Sequence, residues 1–228
     1  MQWVVPKIWE GGDVYIIGGG PSMTKQFNIP DHIVQDVIAG RLHPSVYSSF
    51  MSCLYNKHVI GINIAYMLGN FVDIVFFGDL SFFIKHQPNL AKFTGLKVCC
   101  HPSGERYPWV KSLRRAGEHY QGISPTPDKV SWNGNSGSAA ISVAAHAGAK
   151  RIILLGFDMQ LNDLNQQHWH DIYGKKSRDT TKALPFVRHM AGFNKIQFDA
   201  QRLGIEILNC SQDSAIPNFR KITLKDVL

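Results

Sequence analysis

The stretch VYIIGGGPSM, residues 14–23, decides how the rest of the chain is read. It opens as an apolar run of strand type and then breaks into three glycines, a proline and a serine. Bare backbone at a strand end means that something comes close to the main chain, or that the chain turns in a conformation other residues resist. A bound ligand and a tight turn both satisfy that description.

Outward from this stretch the same pattern recurs. Residues 13–18, 58–63, 73–78, 96–100, 151–156 and 205–210 are short, almost uninterrupted apolar runs, as strands covered on both faces require. Between them, residues 31–42, 80–93, 136–148 and 186–203 return apolar side chains at helical spacing. Asp31 after Pro30 reads as the N-cap of the first of these helices and Gly40 as its stop. Strand and helix in alternation predict an α/β fold, Rossmann-like, with a mostly parallel sheet covered by helices on both faces. The whole chain, 1–228, reads as a single nucleotide-binding domain, with a lid-like insertion at about 159–185 after the strand 151–156.

Composition sets outer limits. A chain of 228 residues, 44% hydrophobic and 18% charged, suits one domain with a real core and excludes a disordered chain or a stapled mini-protein. No apolar run reaches the roughly 18 residues that span a bilayer, and the N-terminus lacks the pattern of a secretory signal, so a cytoplasmic location is expected. The four cysteines lack C-x-x-C spacing, and three of them sit in apolar runs as free buried thiols do. A net charge of +7 favours anionic partners, but the basic residues are scattered and form no stripe for nucleic acid.

Parallel sheets bind ligands outside the carboxyl ends of their strands. Gly18, Gly19, Gly20 and Ser22 follow one strand, Asn63 another, Gly78 and Asp79 a third, and Asp158 a fourth. A dinucleotide fingerprint is excluded, because Met23 occupies the third glycine position and the downstream acid is missing. What remains is a short turn in which Pro21 opens a helical turn and the amides of the glycines and Ser22 point towards an anion or a ribose. In NSGSAAISVAAHAGAKRIILLGFD, residues 135–158, Asn135, Ser136 and Ser138 are cap-type residues at a helix start whose unpaired N–H groups suit phosphate, and Gly137 lets a ligand approach.

These stretches, with Asn63 and the tail FDAQRLGIEILNCSQDSAIPNF, resemble the bacterial lipo-oligosaccharide sialyltransferases. They are also similar to the wider group that contains flagellin-modifying glycosyltransferases and archaeal hydroxymethylpterin diphosphokinases. The resemblance implies a nucleotide-binding transferase taking a CMP-activated, sialic-acid-like sugar. It implies that Gly18, Gly20 and Ser22 line the nucleotide, that Asn63 contacts it, that Asn135, Ser136 and Gly137 hold the phosphate or cytidine, and that Asp158 lies at or beside the ribose. The sequence departs from that pattern at Gly19 and Gly78, where the family has Asn, and at Gln160, where it has a phosphate-facing Tyr.

Transfer to a hydroxyl needs a base, and histidine titrates near neutrality. Of ten histidines, His168 and His170 flank Trp169 in a polar stretch that continues through Asp171, Tyr173, Lys175, Lys176 and Arg178 and reads as a lid over a reactive donor. His189 stands at nearly the distance from the strand 205–210 that the sialyltransferase base keeps from its own. His170 or His189, then His168, are the expected bases. No Asp-x-Asp pair is present, so a metal-independent reaction with no cofactor is expected, leaving-group charge falling on helix amides and nearby Tyr, Lys or Arg. The alternatives are a pterin-type pyrophosphokinase using ATP and Mg²⁺, and a non-catalytic module binding nucleotide or nucleic acid. Whether the acceptor is a glycan, a protein, a lipid or a modified base, and whether the chain forms a homo-oligomer, is left open by the sequence.

Overall fold

The computed structural model describes residues 3–117, 119–170, 172–173 and 185–228. Asp171, Lys175, Lys176 and Arg178 of the expected lid lie outside the described residues.

Among the described residues, eight parallel strands form one sheet. They are β1 (Asp13–Ile17), β2 (His58–Ile62), β3 (Ile74–Phe77), β4 (Leu96–Cys99), β5 (Val110–Ser112), β8 (Arg151–Leu155), β9 (Glu206–Asn209) and β10 (Arg220–Lys221), in the order β10-β9-β8-β1-β2-β3-β4-β5. A small parallel pair, β6 (Arg114–Arg115) with β7 (Lys129–Val130), lies between β5 and β8 in the chain. The helices are α1 (Ser22–Gln26), α2 (Asp31–Ile38), α3 (Leu80–Lys92), α4 (Ser136–His146), α5 (Phe186–Met190) and α6 (Phe193–Leu203).

The strand interiors are apolar on both faces because both faces are covered. Tyr15 and Ile17 of β1, Val75 and Phe77 of β3, and Ile153 and Leu155 of β8 join one buried cluster with Phe83 and Leu90 of α3 and with Trp169. Val14, Ile16, Phe76, Ile152 and Leu154 point the other way, into a second cluster with the small residues of α4 and with Phe193 and Ile196 of α6. Val14, Tyr15, Ile16 and Ile17 are all fully buried, and their period of two divides them between the two cores.

The six apolar runs of the sequence all become strands, with ends trimmed by a residue or so. Two edge strands escape the sequence reading: β10 is the basic pair Arg220–Lys221, and β5 is only three residues long. Two helix expectations are corrected. Pro30 occupies the N-cap of α2 and Asp31 its first turn, with no side-chain cap bond. The run 186–203 is broken into α5 and α6 around Gly192, where an added Cβ would lie 2.5 Å from the Cβ of Asn133, so another segment occupies that side.

From β1 the chain builds the sheet in one direction through β2 to β5, then returns to the other side of β1 with β8 and continues to β10. The order therefore reverses between β1 and β8, and a crevice opens beyond their carboxyl ends.

Candidate functional site

A cavity of about 490 Å³ occupies that crevice. Gly18, Gly19 and Gly20 line it from β1, Asn63 from β2, Asp79 and α3 from β3, and Asn135, Ser136 and Gly137 from the head of α4. Asp158 and Gln160 follow β8, and His168, His170, Tyr173 and His189 complete the lining. Of the residues singled out at the strand ends and the head of α4, Ser22, Gly78 and Ser138 stand outside this wall.

The three glycines answer to protein neighbours. A Cβ on Gly18 would lie 2.7 Å from the Gly156 carbonyl oxygen, and one on Gly20 would lie 2.6 Å from the Asp158 carboxyl carbon. Gly19 faces His168, whose Nδ1 would sit 2.9 Å from an added Cβ. The segment after β8 is tied directly to this bare backbone: Trp169 donates its indole N–H to the Gly18 carbonyl (2.9 Å) and its amide to the Gly19 carbonyl (3.0 Å). Trp169 is buried, set edge-on to Tyr47 and to His170.

Ser22 is engaged within the protein. Its amide donates to Asp158 Oδ2 (2.8 Å), and its hydroxyl bonds to the other Asp158 oxygen and to Ser211 Oγ (2.8 Å). The start of α1 therefore faces a carboxylate of the protein itself, and Asp158 is held as a pin between β1 and β8. Gly20 N–H is also occupied, donating to the Gly156 carbonyl (2.8 Å). Gly78 is likewise structural: an added Cβ would lie 2.2 Å from the Trp132 ring, and its carbonyl accepts from Arg115 (2.9 Å), whose guanidinium lies over that ring.

The head of α4 is different. Asn135 Oδ1 accepts from the Ser138 amide (2.8 Å), and the first intrahelical bond runs from Ala139 N–H to the Asn135 carbonyl (3.2 Å). The amides of Ser136 and Gly137 precede that bond, so the helix provides them no partner. The Ser136 hydroxyl beside them is buried with no hydrogen-bond partner among the described residues. Across the cavity, Asn63 adopts the left-handed conformation (φ 49°), and its Oδ1 is also buried without a partner among the described residues. Unpaired buried polar atoms are uncommon because each costs about 1–3 kcal/mol, and these border the same void.

The histidines separate by environment. His170 is buried, and its Nδ1 accepts from the Ile172 amide (3.3 Å), which places the proton of the neutral ring on Nε2. Burial, then the nearby His168 and His86, holds its pKa well below the usual histidine value. His168 stacks parallel on it with ring centroids 5.3 Å apart. His189 is only partly buried, and its Nε2 lies 3.5 Å from the Arg188 guanidinium. Since Arg has no lone pair, that nitrogen is the acceptor. Burial and Arg188 lower the His189 pKa, and Asp79 works in the opposite direction. Tyr173 is pushed well up by burial and by Asp79, against a hydrogen bond from Asn63.

Sequence reasoning missed Lys85, His86 and Phe82 of α3 on the same wall. His86 is buried, stacked on Phe82 at 4.6 Å, with Nδ1 3.2 Å from the Tyr66 hydroxyl and Nε2 unpartnered among the described residues. Lys85 donates to the Ile172 carbonyl (3.0 Å), linking α3 to the segment carrying His170. The sequence reading took residues 80–93 only as a helix; the signal available was a polar pair about two turns beyond Asp79. Among the described residues, no group of three or more His, Cys, Asp or Glu side chains is placed to hold a metal ion. No described helix is long and apolar enough to cross a membrane.

No family model and no curated protein matches the sequence. Solved structures do match. The sialyltransferase CstII from Campylobacter jejuni, in complex with cytidine-5′-monophosphate, is 16% identical over 92% of this chain and 84% of its own, with a TM-score of 0.51. The chain has the fold of the bacterial sialyltransferases. A CST-II complex with CMP and a trisaccharide acceptor is 15% identical, covering 92% of this chain and 86% of that one (TM-score 0.52). The monofunctional alpha-2,3-sialyltransferase Cst-I from Campylobacter jejuni is 14% identical, covering 93% and 80% (TM-score 0.56). The sialyltransferase-like fold therefore runs through nearly the whole chain.

Proposed function

We propose that this protein is a glycosyltransferase that moves a sugar from a CMP-activated donor to an acceptor hydroxyl, with His189 as general base. The observation that carries the reading is the pairing of unfilled polar atoms at the head of α4, the Ser136 hydroxyl above all, with a void at the switch point of the sheet. The solved neighbours that bind CMP share the fold that builds this crevice and support the choice of nucleotide.

In this reading the donor phosphate lies on the amides of Ser136 and Gly137 and on the Ser136 hydroxyl, where the positive end of α4 favours negative charge. Asn63 Oδ1 accepts from the nucleotide or sugar. The acceptor hydroxyl attacks the anomeric carbon and its proton passes to His189 Nε2, which gives up its 3.5 Å contact with the Arg188 guanidinium to take it. The bond from that carbon to phosphate oxygen breaks with inversion, and CMP departs with the electron pair. His170, whose Nε2 carries a proton, acts as a hydrogen-bond donor to substrate and not as the base. Charge on the leaving phosphate is met by helix amides, so no metal is required.

Thermal shifts with CMP, CDP, UDP, GDP, ATP plus Mg²⁺, and NAD test the donor class. A ligand at a hundred times its Kd stabilises the fold by about 2.7 kcal/mol. Stabilisation by CMP and loss of most of it in Ser136→Ala support the reading. Stabilisation by ATP with Mg²⁺ and none by CMP replaces it with a pyrophosphokinase.

A further inference from the structure

We infer that Asn135 is a positioning residue that sets the base His189 in register with the donor phosphate site, because one carboxamide caps α4 and holds the main chain of His189. Its Oδ1 accepts from the Ser138 amide (2.8 Å), and its Nδ2 donates to the His189 carbonyl (3.0 Å). The inference rests on the proposed role of His189.

Helix α5, which carries His189, is short and partly exposed among the described residues. It is five residues long, buries none of them, and starts at Pro185 without a side-chain cap bond. The turn before α4 reaches it at close range. A Cβ on Gly134 would lie 2.5 Å from the Arg188 carbonyl oxygen, and Gly134 has a positive φ of 84° that glycine adopts without strain. Asn133, also left-handed at φ 52°, is locked by its own side chain to Gly122, accepting at 2.7 Å and donating at 2.8 Å. The turn is thus rigid on its far side and carries α5 on its near side, with Asn135 as the polar tie.

Residue chemistry makes the claim specific. Ser, Thr, Asp and Asn all cap helices through an oxygen, but Asn alone among them also presents amide N–H donors on the same side chain. A cap requirement is met by any of the four, whereas a tie to a carbonyl is met here by Asn. A phosphate on the Ser136 and Gly137 amides would then stand one residue from the group that places the base.

The test compares the full-length wild type with Asn135→Ser, His189→Ala and the double variant, measuring CMP affinity by calorimetry, turnover of a CMP-sugar, and the His189 imidazole signals by NMR. Asn135→Ser keeps a cap oxygen, and its melting temperature reports that it is folded; Asn135→Asp, which also caps but cannot donate, serves if it is not. The expected result is a CMP Kd within about threefold of wild type, a kcat about ten- to a hundredfold lower, and shifted His189 signals. The double variant should turn over no more slowly than His189→Ala, since both remove one function. A wild-type kcat and unshifted His189 signals in Asn135→Ser, or losses that multiply in the double variant, overturn the inference. Full turnover in His189→Ala overturns the proposed base itself, and the inference with it.

Discussion

Replacing Trp169 by Phe tests the link between the glycine run and the site most directly. The indole is buried and donates to the Gly18 carbonyl at 2.9 Å, while the Trp169 amide bonds to Gly19 and is unaffected by the change. Phe keeps the aromatic contact with Tyr47 and His170 but leaves the carbonyl without its donor, at a cost of about 1–3 kcal/mol. The lost ring volume adds part of the 3–5 kcal/mol typical of complete truncation to Ala, giving about 2–4 kcal/mol in all. At about 2–4 °C per kcal/mol for a chain of this size, the melting temperature should fall by about 4–16 °C in a calorimetric or circular dichroism melt. CMP affinity should weaken as well, because His168 and His170 flank the residue that anchors them to β1. A melting temperature within 1 °C of wild type would refute the claim that the bare backbone of 18–20 exists to receive this segment.

At Asn63 the two consequences of one residue separate. Asn63→Gly should leave stability nearly unchanged and Asn63→Ala should cost about 1 kcal/mol through its left-handed backbone, while both weaken CMP binding; equal stability of the two variants in urea would contradict the strain. The acid limb of the kcat/KM profile should lie below the usual histidine pKa, since burial and Arg188 favour neutral His189 and a base acts when deprotonated. Arg188→Gln should move that limb to higher pH and Asp79→Asn to lower pH; movement in the opposite senses would exclude His189 as the titrating base. Stability should be fully present above pH 6.5 and decline below it, because the unfolded chain binds a proton that buried His170 resists. The slope per such ring is at most about 1.4 kcal/mol per pH unit, and a His170→Gln melt that depends on pH as steeply as wild type would argue against it.

The sequence alone determined the sheet. Strands buried on both faces must be apolar at every position, so the runs around Val14–Ile17 and Arg151–Leu155 declare themselves locally, and alternation with helices leaves parallel pairing as the consistent arrangement. It also pointed to the strand ends, where the cavity lies, and to the cap of α4, because a cap is a local pattern of Asn, Ser and Gly. It did not reveal β10, where an edge pair of Arg and Lys carries no apolar signal, nor that α5 is separate from α6. Tertiary structure decided what each polar group does. Ser22 looked available until Asp158, 136 residues later, took its amide and hydroxyl. His170 and His189 looked alike until the Ile172 amide claimed the first ring, deep in the protein, while the second lay on the cavity wall with its Nε2 in a longer, 3.5 Å contact with Arg188. A backbone donor is open or spent according to which distant atom comes within 3 Å of it, and that distance is set by packing of the whole sheet, which no local pattern encodes.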